Sequence, residues 1–101
     1  MIFAIDFDGT LTDIKFQLKV KKLLNEKNDI WVITKRKKSD KNEELLMVLN
    51  KINLPIFKVI FTERKPKYEF LKAINADFFI DNNDEEFAEI NNFTNIVSLK
   101  F

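Results

Sequence analysis

The chain has no cysteine and no histidine, one glycine and two prolines in 101 residues. Without cysteine there are no disulfides, no thiolate nucleophiles and no cysteine-held zinc. Without histidine there is no serine–histidine triad and no imidazole to act as general base. Any catalysis must therefore rest on carboxylates, lysines, hydroxyls and a metal ion. Long apolar runs are missing too: none approaches the ~20 residues of a membrane helix, and no basic start leads into an apolar stretch as in a secretory signal. The expectation is a cytoplasmic protein with no membrane partner. Strong charge of one sign is also absent. With a net charge of +1, the protein as a whole is no evident polyanion binder.

What is present is 46% hydrophobic and 33% charged residues, the proportions of a soluble globular protein. The length suits one domain over residues 1-101, burying roughly two-thirds of its unfolded surface, with little left for accessory structure. Lysine outnumbers arginine 15 to 2, which lowers the weight of any lysine cluster.

Two periodicities alternate along the chain. Ile2 to Phe7 is short and apolar apart from Asp6, as in a strand buried on both faces. Phe16, Val20, Leu23 and Leu24 recur at helical spacing, although IKFQLKVK over residues 14 to 21 also alternates like a strand. The helix is favoured because two parallel strands need a crossover of about a dozen residues. Ile30 to Thr34 is the second strand. Asp40 and Glu43 suggest a capping box before a helix with Leu45, Val48, Leu49 and Ile52 on one face. Pro55 precedes a third strand, Phe57 to Phe61, and Pro66 suits the first turn of a helix with Phe70, Ala73 and Ile74 inward. Asp77 to Asp81 is the fourth strand, residues 84 to 90 a short helix, and Ile96 to Leu99 the fifth strand. This order predicts an α/β fold: a doubly wound, mostly parallel five-stranded sheet with helices on both faces. Phe57, Phe61, Phe70, Phe78, Phe79, Phe87 and Trp31 read as core.

Four strands end in groups able to do chemistry: Asp6 with Asp8, Thr34, Thr62 with Arg64 and Lys65, and Asp81. In open α/β sheets the ligand crevice lies at the carboxyl ends of the strands, where strand order reverses. An order of 5-4-1-2-3 would place that reversal beside Asp6 and Asp81. Two carboxylates there repel unless a cation joins them, and magnesium suits hard oxygen ligands and substrate phosphate. A carboxylate can also attack phosphorus to give an aspartyl phosphate. Asp6 would attack, and Asp8 would protonate the leaving oxygen and then activate water. Gly9 permits a sharp turn that presents backbone amides to phosphate. Thr34 and a lysine near the third strand would neutralise the other phosphoryl oxygens.

The stretch DFDGTLTD resembles the first motif of the haloacid dehalogenase superfamily, a strand ending in D-x-D-G-T. The resemblance implies a HAD-like core in which Asp6 is the nucleophile and Asp8 the general acid/base. Magnesium would be held by Asp6, the Asp8 backbone carbonyl and Asp81. Gly9, Thr10, Thr34 and a lysine would surround the phosphate. Thr34 matches the second motif, Lys65 fits the third best with Lys67 close behind, and FFIDNND is similar to the acidic fourth. The supporting acid after Asp81 is either Asp84 or Glu85. Only one helix's worth of chain separates each strand pair, which leaves no room for a cap domain.

The function implied is a magnesium-dependent phosphatase acting on phosphate monoesters. A non-catalytic binding module of the same fold is the alternative, and a phosphotransferase or phosphomutase a third. An uncapped site suits a macromolecular substrate, such as a phosphorylated nucleic acid end or protein, or a homo-oligomer or partner subunit that covers it. The run KRKKSDK, Lys35 to Lys41, reads either as a basic rim for a polyanion or as a solvated loop.

Overall fold

In a computed structural model, described over residues 1–100, the strands are β1 Ile2–Asp6, β2 Asp29–Thr34, β3 Val59–Phe61, β4 Phe78–Asp81 and β5 Val97–Lys100. The helices between them are α1 Ile14–Asn25, α2 Glu43–Ile52, α3 Lys67–Ala73 and α4 Asp84–Phe93. All pairings are parallel, in the order β3-β2-β1-β4-β5. From the opposite edge this reads 5-4-1-2-3. The reversal lies at β1, which pairs Ile5 with Val32 of β2 and with Ile80 of β4. The next residues, Asp6 and Asp81, therefore leave the sheet side by side.

Side-chain alternation along the strands divides the core in two. Ile5, Val32 and Ile80 pack with Phe16, Val20, Leu45, Val48, Leu49 and Ile52 of α1 and α2. Ala4, Ile33 and Phe79 pack on the other face with Leu71 of α3 and Ile90 of α4. Asp6 has the parity of Ala4, and Asp81 that of Phe79, so both carboxylates emerge toward α3 and α4.

The ambiguous stretch after β1 is a helix. Phe16 and Val20 are buried while Ile14 and Leu18 are 68% and 63% exposed, the signature of one helical face. Asp13 caps it, its carboxylate accepting from the amides of Lys15 (2.8 Å) and Phe16 (3.2 Å). Gln17 of α1 donates to the Leu11 carbonyl at 3.0 Å and ties the helix to the turn after β1.

Other expectations need correction. The Asp40–Glu43 capping box does not form: α2 starts at Glu43 after Asn42, which makes no side-chain cap bond. Asp40 instead accepts from the Lys37 amide at 3.2 Å, a local turn that competes with the cap. Phe57 is neither core nor strand. After Pro55, residues Ile56–Lys58 make a short 3₁₀ turn that leaves Phe57 71% exposed. On α3, Leu71 is the buried apolar residue and Ala73 is exposed, with Phe70 and Ile74 half-buried. The inward face of α3 starts one turn earlier, at Lys67, which a hydrophobic pattern cannot register. Among the described residues no helix is long and apolar enough to cross a membrane.

Candidate active site

The end of β1 runs into a tight turn over residues 7–11, with Asp8 extended and Gly9 left-handed at φ 78°. A Cβ on Gly9 would also lie 3.3 Å from the Asn82 amide nitrogen, which itself donates to the Gly9 carbonyl at 3.0 Å. The chain's only glycine thus combines a left-handed backbone with a close approach. The turn buries Phe7, Thr10 and Leu11 and leaves Asp8 exposed.

Three charged side chains meet at the strand ends. Lys67, a residue only 3% exposed, places its ammonium 2.6 Å from Asp6 Oδ1 and 3.5 Å from Asp81 Oδ2. Thr10 Oγ1 donates to Asp6 Oδ2 at 3.3 Å. Asp81 Oδ1 accepts from the amides of Asn82 (2.6 Å) and Asn83 (3.2 Å), whereas its Oδ2 is buried with no hydrogen bond. Two carboxylates against one ammonium leave a negative charge in excess. Burial pushes the Asp6 carboxyl up to about 6, and Asp81 adds to the rise while Lys67 opposes it.

That excess charge, and an Asp81 Oδ2 that accepts no hydrogen bond and faces the Lys67 ammonium only at 3.5 Å, fit a divalent cation. Among the described residues no third carboxylate joins the pair, but magnesium retains waters and takes phosphate oxygens, so two carboxylates suffice. The site residues fit the ion.

Asp8 forms a second constellation beside the first. Its Oδ2 accepts from Thr34 Oγ1 (3.3 Å) and Arg36 Nε (3.2 Å), and its Oδ1 from an Arg36 amino group at 2.6 Å. The Arg36 guanidinium lies 5.0 Å from the centre of the Phe7 ring, so a fully buried aromatic carries it. Lys35 turns the other way, to the buried carboxylate of Glu86 at 2.6 Å, which raises its pKa.

Of the sequence candidates, Asp6, Thr10, Lys67 and Asp81 converge directly, and Asp8 with Thr34 and Gly9 borders them. Lys65 does not join: it is exposed, in the turn before Pro66. Neither Asp84 nor Glu85 supports Asp81. Asp84 pairs with Lys100 at 3.2 Å and Glu85 is exposed, while the buried acid of that turn is Glu86. Asn82 and Glu86 are the residues that sequence reasoning missed, and Arg36, read there only as part of the basic run, was not foreseen as the partner of Asp8. For Arg36 a signal existed, since it stands two residues past Thr34 at the same strand end.

A larger hollow of about 930 Å³ lies at the other end of the strands, lined by Met1, Asp77 and Ile96 among others. Its one carboxylate, Asp77, already accepts from the Ile2 amide at 2.7 Å. The sequence matches no protein-family model, and no curated protein matches it.

Proposed function

We propose that this chain is a magnesium-dependent phosphatase of the haloacid dehalogenase type, hydrolysing phosphate monoesters through an aspartyl phosphate on Asp6. The observation that carries this reading is the meeting of Asp6, Lys67 and Asp81 where the strand order reverses, with Asp8 two residues beyond the nucleophile. Asp6 and Asp81, with the Asp8 carbonyl, would hold the ion, which when bound would supply positive charge to offset the carboxylates and the phosphate.

The residues then divide the work. An Asp6 oxygen attacks phosphorus and the bond to the ester oxygen breaks, that oxygen taking a proton from Asp8. Asp8, now a carboxylate, takes a proton from water as the water attacks phosphorus, and the acyl phosphate bond breaks to restore Asp6. Lys67 holds the attacking carboxylate and offers its charge to the phosphoryl oxygens. Thr34 and Arg36 orient Asp8, and the Gly9 turn lets backbone amides face the phosphate.

A second reading, a non-catalytic binding module of the same architecture, draws on the hold of Arg36 on both Asp8 oxygens. A panel of phosphate esters, assayed with and without magnesium and against Asp6→Asn, separates the two. Magnesium-dependent turnover that vanishes in the variant supports the phosphatase. Binding of phosphate and magnesium without turnover supports the module.

A further inference from the structure

The phosphatase chemistry needs one phosphoryl site, yet a second basic site adjoins it. A cleft of about 370 Å³ is lined by Asp8, Lys35, Arg36, Lys37, Asp40 and Arg64. Two of its cations are engaged: Arg36 with Asp8 and Lys35 with Glu86. Among the described residues, Lys37 and Arg64 have no ion pair. Two unpaired cations thus face one cleft, against one unpaired carboxylate, Asp40, whose Oδ2 is turned onto the Lys37 amide.

The cleft walls are built, not a loose lysine run. Asn42 donates from one amide nitrogen to the carbonyls of Lys37 (3.3 Å) and Asp40 (3.0 Å). The Asp40 amide donates to the Lys37 carbonyl at 3.1 Å, and Asp40's own carboxylate closes the turn on the Lys37 amide. Opposite, Glu63 and Arg64 both adopt left-handed backbone, at φ 53° and 68°. Such a conformation costs about 1 kcal/mol or more per non-glycine residue. The Arg64 amide donates to the Lys35 carbonyl at 2.9 Å, which ties this strained turn to the other wall. Strain kept in a turn that delivers a free guanidinium to a cleft points to a use for that group.

The place of the cleft tells which part of a substrate it meets. Asp8 lines it, and Asp8 is the group that gives a proton to the departing oxygen. The cleft therefore lies on the leaving-group side. We infer that it is a subsite for a second phosphate borne by the leaving group, so that the substrate is a phosphomonoester carrying another phosphoryl or phosphodiester anion. This rests on the phosphatase reading for the role of Asp8. The source of that second anion is either a small bisphosphate or the backbone of a terminally phosphorylated nucleic acid strand.

The test compares thymidine 3′,5′-bisphosphate and a 3′-phosphorylated oligothymidylate with the two thymidine monophosphates, at fixed ionic strength. The bisphosphate or the strand should exceed the monophosphates about tenfold in kcat/KM, the contribution of two partly solvated cations. A gain for both means that a diester suffices, and a gain for the bisphosphate alone means that a free dianion is required. Lys37→Gln with Arg64→Asn should bring the ratio near one, asparagine being tolerant of the left-handed backbone. Lys38→Gln, on the same loop outside the cleft, should retain the preference. Equal efficiencies on all substrates, or a preference untouched by the double variant, would overturn the subsite. Should no ester be turned over, the phosphatase reading fails and pyrophosphate binding without magnesium decides the subsite separately. Severalfold weaker binding in the double variant supports it. Equal binding, or none by the native protein, overturns it.

Discussion

Lys67 and Asp6 are 61 positions apart in sequence, and the ammonium of one lies 2.6 Å from the carboxylate of the other inside the protein. The contact follows from strand parity. Asp6 leaves β1 on the face covered by α3, and Lys67 opens the inward stripe of that helix four residues before Leu71. Removing the cation strands two buried carboxylates. Lys67→Met should therefore cost about 3 kcal/mol or more in urea unfolding at pH 8, and lower turnover about a hundredfold or more. Lys65→Ala should stay within about 0.5 kcal/mol and change turnover little. The opposite ranking would hand the phosphate-contacting role to Lys65.

Asp6→Asn should abolish hydrolysis, because an amide is a poor nucleophile. It should do so without unfolding the protein. The variant leaves Asp81 and Lys67 as a balanced pair, so without magnesium at pH 8 it should melt at or above the native temperature. Magnesium should raise the melting temperature of the native protein and do so far less in the variant. Turnover undiminished by this substitution would move the chemistry elsewhere.

Stability should depend on pH through the same carboxylate. The Asp6 carboxyl is raised in the folded protein, to about 6 from an ordinary 3.8, so the folded state binds its proton more tightly than the unfolded state does. Its contribution is fully present below the unfolded value and is lost as pH rises through about 6. Across that window native stability should fall relative to Asp6→Asn by at most about 3 kcal/mol. Asp29, lowered chiefly by its bond to Lys58, acts in the opposite sense, and lies below this window. The difference between native and variant urea midpoints from pH 4 to 7 isolates Asp6. A flat difference would mean that Lys67 fully compensates the carboxylate.

Gly9 should be intolerant for two separable reasons. Gly9→Ala should cost about 1 kcal/mol or more from the left-handed backbone alone, and the methyl group must also displace Asn82. Adding Asn82→Ala should recover the steric part and leave the backbone part. Thermal melts of the two single variants and the double variant give this coupling. Full recovery in the double variant would show that the backbone conformation is not costly there.

How much of this was legible depended on the kind of signal. The five-stranded parallel α/β architecture followed from apolar runs and turn residues, whereas a strand order was reached only by asking that Asp6 and Asp81 share a site. DFDGTLTD placed Asp6, Asp8 and Gly9 at a strand end. Lys67 was harder to choose over Lys65. Proline suggested a first helical turn, but Pro66 stands just before the helix, which begins at Lys67 and turns this lysine inward. Phe57 misled for a related reason, since aromatic character says nothing of a proline-induced turn. Arg36 and Glu86 were hidden among the lysines and acids of exposed-looking segments, and only the tertiary arrangement gives each its partner.

The division of the core bears on how such a site can change. Asp6 and Asp81 depend on the face packed by α3 and α4, whereas Asp8 is held through Thr34 and Arg36 above Phe7, which belongs to the α1–α2 face. Under the proposed function, loosening Leu71 or Ile90 reaches the nucleophile, and loosening Leu45 or Val48 reaches the group that handles protons. Attack by the nucleophile and the handling of protons, which both steps need, would thus answer to different sets of packing residues. A fold of about a hundred residues thereby acquires two independently adjustable halves, with a partition one sheet thick.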